Sequence, residues 1–194
     1  MEKIILASSS KQRHEILSNL KIPFETVTAD IEETFSDTLE KRQVSSYLSE
    51  RKVRAVIQKI SDRKDWNWVL GADTIVLHND KIYGKPHNLT EAKRFLEEFS
   101  GKKHEVITGI TLFNRLKNSF STTLSCTEVK FSKLSEKEIE WYLDTNEWKN
   151  AAGAYRIQGL ASFFIEETKG SYSNVVGLPI FELYCIFKQQ GYFF

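Results

Sequence analysis

Apolar residues recur along this chain in two periods. Ile4-Ile5-Leu6-Ala7 is a short unbroken run that predicts a buried strand over 3–7, and Ile16, Leu17 and Leu20 keep helical spacing over 11–20. FETVT at 24–28 predicts a second strand. Val44, Tyr47, Leu48, Val53, Val56, Ile57 and Ile60 form the apolar side of a long amphipathic helix over 43–60. WVLGADTIVL is the next strand, HNDK its turn and IYGK the return. TEAKRFLEEFSG predicts a helix closed by Gly101. HEVITGITLF and SFSTTLSCTEVKF are long strands around a polar turn at Lys117-Asn118. In the second, the alternation through Phe120, Thr122, Leu124 and Cys126 changes phase at Val129 and Phe131, as a bulge requires. SEKEIEWYL opens with a capping box, Ser135 and Glu138. LASFFIEETKGSYSNVVG predicts strand, turn and short strand, and Pro179 starts a last helix that Gly191 stops. The pattern as a whole predicts one α/β domain over 1–194, a long mixed sheet with helices packed on it.

Composition narrows the function classes. Of 194 residues, 41% are hydrophobic and 27% charged, which fits a globular chain rather than a disordered one. No apolar run approaches the roughly 20 residues that span a bilayer, and MEKIILASSSK turns polar too early for a signal peptide. A cytoplasmic location without a membrane partner is therefore expected. The formal net charge of +1 argues against a nucleic-acid partner, which needs a basic face. Cys126 and Cys185 are expected to be buried small hydrophobes. Trp66, Trp68, Trp141 and Trp148, at scattered spacing, are expected in the core or at its rim.

Several polar residues interrupt this pattern. LASSSKQRHEIL places Ser8, Ser9 and Ser10, then Arg13, where the first strand meets the first helix. Helix N-termini expose unpaired N–H groups and favour anions, so a phosphate fits there; a plain Ser10 N-cap explains the same residues. Asp73 lies inside an apolar strand, where a carboxylate needs a partner. A three-residue loop centred on Asn79 would set Asp73 opposite Lys85, either as a structural ion pair or as a base or metal ligand beside a phosphate-binding lysine. DIEE at 30–33 is a solvated acidic loop or an oxygen-rich ligand set for Mg²⁺ or Mn²⁺. Arg51, Lys52 and Arg54 read as solvated charges, with Lys52 next to the apolar face and able to reach inward. NAAGAYRIQGLASFF combines glycines with Gln158, an amide suited to a base edge or a ribose.

Taken in order, LASSS with Arg13, IEE at 31–33, ERKVRA at 50–55, GADTIV at 71–76, GKP at 84–86, TG at 108–109, AGAYRIQG at 152–159 and GSYSNVVGLP at 170–179 resemble the Maf family of nucleoside triphosphate pyrophosphatases. No Walker A or HExxH sequence competes with this reading. The resemblance implies an elongated single-domain α/β fold of the Maf or ITPase-like kind, a homodimer, a divalent metal, and cleavage of a nucleoside triphosphate to monophosphate and pyrophosphate. GADTIV and AGAYRIQG look like the branch that prefers dTTP and UTP.

Position by position, the resemblance implies that Ser8, Ser10 and Arg13 bind the triphosphate together with Lys52 and Lys85. It implies that Glu33 and Asp73 hold the metal, that Asp73 orients or deprotonates water, and that Thr74 and Gln158 contact the nucleotide. The family's usual Ser-Pro-Arg-Arg here reads Ser10-Lys11-Gln12-Arg13. Lys11 does not simply replace an arginine at 12, because adjacent helix positions point about 100° apart. A nucleotide-binding regulator of cell division with little turnover is the alternative function.

Overall fold

The computed structural model describes residues 1–193. Seven strands form one mixed sheet: β1 (Ile4–Leu6), β2 (Phe24–Thr26), β3 (Trp68–His78), β4 (Lys81–Tyr83), β5 (Lys103–Asn114), β6 (Ser119–Phe131) and β7 (Ile165–Lys169). Their order is β2-β1-β3-β5-β6-β7, with β4 paired to β3 off this path. β1 runs parallel to both β2 and β3, while β3–β4 and β6–β7 are antiparallel. The helices are α1 (Lys11–Asn19), α2 (Val44–Lys59), α3 (Leu89–Phe99), α4 (Glu136–Asp144), α5 (Tyr172–Val176) and α6 (Ile180–Gln190). Among the described residues, no helix is long and apolar enough to cross a membrane.

The chain divides into two compact units, and β3, β5 and β6 each contribute residues to both. The first unit contains residues 1–73, 108–125 and 177–194. One of its cores joins Ile4, Leu6, Leu17, Leu70, Ile110 and Leu112 to Leu183, Ile186 and Phe187 of α6. The other packs Val53 and Val56 of α2 on Ile5, Val69 and Phe113. The small residues of this seam have a spatial purpose. A Cβ at Gly109 would lie 2.5 Å from Ser45 C and Ser46 Cα, and one at Gly71 would lie 2.7 Å from Ser49 O. The two glycines thus let the α2 backbone lie directly on β3 and β5. Ser49 Oγ then meets Thr111 Oγ1 at 2.8 Å, and Thr111 Oγ1 meets Thr122 Oγ1 at 2.9 Å.

The second unit contains residues 74–107 and 126–176. Its core gathers Val76, Tyr83, Phe95, Phe99, Phe131, Tyr142, Tyr155 and Phe164. The capping box of α4 is present as expected, with Ser135 and Glu138 each accepting from the other's backbone. Pro179 precedes α6, and Gly191 ends it in the left-handed region. β6 shows a register shift against β7 between Lys130 and Phe131, whereas the phase expected to change at Val129 does not, since Ser125, Thr127, Val129 and Phe131 are buried in unbroken alternation.

Several expectations need correction. The β3–β4 turn has two residues, Asn79 and Asp80, both at positive φ, and pairs Val76 with Tyr83. This register is one residue out of step with the expected one, and β4 ends at Tyr83, so the ladder never brings position 85 to position 73. Residues 160–164 form a 3-10 helix rather than strand. The expected short strand after Gly170 is the helix α5. Ser171 Oγ accepts the Asn174 N–H, and the buried Asn174 amide donates to Val106 O and Thr127 Oγ1, contacts that override the β preference of Val175-Val176. Cys126 and Cys185 are exposed: Ser125, Thr127 and Val129 take the inward positions of β6, and Leu183, Ile186 and Phe187 those of α6. Tyr47 is exposed under the Arg51 guanidinium. Trp66, Trp68 and Trp148 are buried, with Trp141 at the rim.

Candidate active site

The first unit assembles most of the expected site. α1 begins after Ser10, whose extended backbone marks the N-cap although its hydroxyl makes no capping bond. That hydroxyl donates instead to Gln12 Oε1 at 3.2 Å. Arg13, one helical turn in, is 8% exposed. Its Nε donates to Gly177 O at 2.8 Å and its Nη1 to Ser8 Oγ at 3.0 Å. The guanidinium therefore ties the turn after β1 to the segment before α6, and Ser8 is buried with it.

Lys52 turns inward from α2. Its ammonium donates to Asp73 Oδ1 and forms an ion pair with Glu33 Oε1 at 2.7 Å. Asp73 and Lys52 are 6% and 9% exposed, whereas Glu33 is partly open to solvent. Asp73 is thus paired with a helix lysine, and the hairpin register from which a Lys85 partner was expected is not the one β3 and β4 adopt. Glu33 lies on a segment without regular structure that α2 holds by its basic residues. Arg51 donates to Thr34 O at 2.6 Å, and Lys59 donates to Asp30 at 2.9 Å. Arg51 is therefore part of the scaffold and not merely solvated.

The electrostatics follow from burial. Asp73 is held above the ordinary carboxyl range chiefly because burial disfavours its charge; Lys52 and Arg13 oppose this, and Glu33 adds to it. Burial likewise pushes Arg13 down from its usual value, with Asp73 and Glu33 acting against the shift. An arginine keeps its charge regardless. The cluster thus contains two acidic groups and two cations, an arrangement able to bind phosphate and to orient water.

The two carboxylates share one ammonium, so both reach a common point. Among the described residues, no group of three or more His, Cys, Asp or Glu side chains is arranged to hold a metal. Asp73 and Glu33 suit a hard cation that takes one or two carboxylates and completes its shell with water and phosphate oxygens.

Thr74, Lys85 and Gln158 belong to the second unit. Thr74 is half-buried on β3, while Lys85 and Gln158 are exposed. Gly153 N–H donates to Gly84 O at 3.0 Å, tying the segment that carries Gln158 to the turn that carries Lys85. The contacts of Gly177, of Arg51 and of Glu147, whose side chain accepts the Leu160 N–H at 3.0 Å, escaped the sequence reading. Gly177 acts through a carbonyl, Arg51 through a surface bond, and Glu147 sits in a polar turn without a pattern of its own.

With this geometry described, comparison with known proteins gives a consistent answer. The sequence model described as Maf-like protein matches residues 3–190. A protein named dTTP/UTP pyrophosphatase from Clostridium botulinum (strain Kyoto / Type A2) is 42% identical, over 98% of each chain. Proteins of the same name from Clostridium acetobutylicum and Desulforamulus reducens are 41% and 42% identical, covering 97% and 94% of this chain and 98% and 94% of theirs. Motifs, mixed α/β sheet, charged cluster and full-length relatives converge on one assignment: the chain belongs to the Maf family.

Proposed function

We propose that the chain hydrolyses nucleoside triphosphates between the α and β phosphates, releasing nucleoside monophosphate and pyrophosphate. Its substrates are dTTP and UTP, or modified pyrimidine nucleotides, in keeping with the name its relatives bear. The observation that carries this reading is the Lys52 ammonium lodged between Asp73 and Glu33 near buried Arg13. Phosphoryl transfer needs charge neutralisation and a positioned water more than a covalent group. Lys52 and Arg13 supply aimed cations for phosphate oxygens. Asp73, whose proton affinity burial raises, is suited to accept a proton from the attacking water. Ser8 Oγ accepts from Arg13 and has its own proton to donate to a phosphate. Roles for Ser10 and Lys85 at the phosphates, and for Thr74 and Gln158 at the nucleoside, rest on the motif match.

Mg²⁺ or Mn²⁺ held by Asp73 and Glu33 belongs to the same reading, and when bound it supplies Lewis acidity toward phosphate oxygens and water. A cytoplasmic homodimer is also part of it. The dimer rests on the family resemblance, and sedimentation measures it.

The decisive assay incubates dTTP, UTP, CTP, ATP and GTP with Mg²⁺ or Mn²⁺ and measures pyrophosphate and orthophosphate separately. Pyrophosphate, released fastest from dTTP and UTP, is the expected product. Orthophosphate as the main product overturns the reading. The neutral Gln12, bound to Ser10, favours a second reading as a nucleotide-binding regulator; nucleotide binding measured by calorimetry, with neither product released in the assay, would establish it.

A further inference from the structure

Glu147 is a partly buried carboxylate in the turn after α4, within the second unit. Its Oε2 accepts the Leu160 N–H at 3.0 Å, and its Oε1 accepts the Ala161 N–H at 3.4 Å and the Tyr142 hydroxyl at 3.2 Å. Its backbone carbonyl accepts from Arg156 Nε at 3.1 Å, and Arg156 Nη2 also donates to Lys149 O at 2.8 Å. One residue thus grips both ends of the 156–161 segment. Burial pins the same segment at Ile157 and Ala161, leaving Gln158 exposed between them.

Gly159 adds an independent observation. Its backbone, at φ −114° and ψ −151°, is extended and open to any residue. Glycine leaves room there for the carboxylate: a Cβ would lie 2.5 Å from Glu147 Cδ and push that side chain aside. Position 159 is empty so that the carboxylate can reach the two N–H groups beyond it.

We propose that Glu147 is a positioning residue for nucleobase selection, holding residues 156–161 so that Gln158 meets the base in one fixed orientation. The proposal rests on the pyrimidine pyrophosphatase reading above. An amide offers both a donor and an acceptor face. A held segment fixes the distance and direction from which that amide meets the base, so that only a base of matching size and edge pattern pairs with it, whereas a loose segment shifts to reach either kind.

The test measures kcat/KM for dTTP and for GTP, with thermal melting, in the wild-type chain and in Gln158→Ala, Glu147→Gln, Gly159→Ala and the double variant Glu147→Gln/Gln158→Ala. Glu147→Gln keeps the size of the side chain and so protects the fold. Each single variant is expected to lower the dTTP-to-GTP ratio roughly tenfold, the effect of one lost hydrogen bond, by slowing dTTP and sparing GTP. The double variant should fall no further, because both changes remove the same contact. A wild-type ratio in Glu147→Gln beside a lost ratio in Gln158→Ala overturns the proposal and leaves the function standing. An equal fall for both substrates shows a merely structural role and overturns it too. A wild-type ratio in Gln158→Ala, or no dTTP preference in the wild-type chain, removes the reading on which the proposal rests and overturns it from that side.

Discussion

At the scale of single residues, Asp73 concentrates the chemistry and the cost. Burial holds its carboxyl above the ordinary 3.8, so the folded chain binds a proton there more readily than the unfolded chain. The stability this group contributes is therefore complete below pH 3.8 and is lost as pH rises through the raised folded value. Catalysis runs the other way, because a base must be ionised. The acid limb of kcat/KM is expected above the usual carboxylate range, and Lys52→Met, which removes the favourable charge, should move it higher still. Asp73→Asn should cut turnover by about 10²–10⁴-fold while the melting temperature changes little, since Lys52 keeps Glu33 as its partner. Were the pair only structural, the same variant would lose about 3–5 kcal/mol of stability and keep its activity per folded molecule. Melting and turnover measured on one preparation separate the two cases. That Asp73 needed a partner was legible from one charge in an apolar strand. Which partner it has was not, because Lys52 lies 21 residues away and reaches it across a helix–sheet contact.

At the scale of elements, the placement of Lys52 depends on how closely α2 lies on the sheet. Gly109 and Gly71 admit helix backbone where a side chain would not fit, and backbone cannot swing aside. Gly109→Ala is expected to cost about 1–3 kcal/mol by overpacking, which lowers the melting temperature by roughly 2–12 °C in a chain of this size. Because Lys52 rides on the same helix, kcat/KM should fall further than the loss of folded protein explains. Wild-type melting and turnover in this variant would show that the close approach has no role. The elements themselves were largely readable. The helix of 44–59, the capping box at Ser135 and the Pro179–Gly191 pair obey local rules. The two stretches misread as strand, 160–164 and 172–176, owe their shape to Glu147 and to Asn174, whose partners lie elsewhere in the chain.

At the scale of the whole molecule, a net charge of +1 leaves little long-range attraction for a polyanion. Affinity for a non-hydrolysable dTTP analogue is expected to fall only shallowly with salt, as a few aimed cations dictate, whereas a nucleic-acid partner would impose a steep slope. A fluorescence titration over several salt concentrations gives that slope directly. The sequence by itself determined most of the element types and their ends, the polar residues that had no place in a core, and the family whose motifs they follow. Those features depend on backbone preferences and on side-chain periodicity, which act over a few residues. Tertiary structure alone decided that Lys52 pairs with Asp73, that Glu33 joins them, and that the carbonyl of Gly177, 164 residues on, holds Arg13. The reason is physical: a buried charge is stabilised by whatever packing brings within a few ångströms of it, and a period along the chain shows which face of an element is covered but not what covers it.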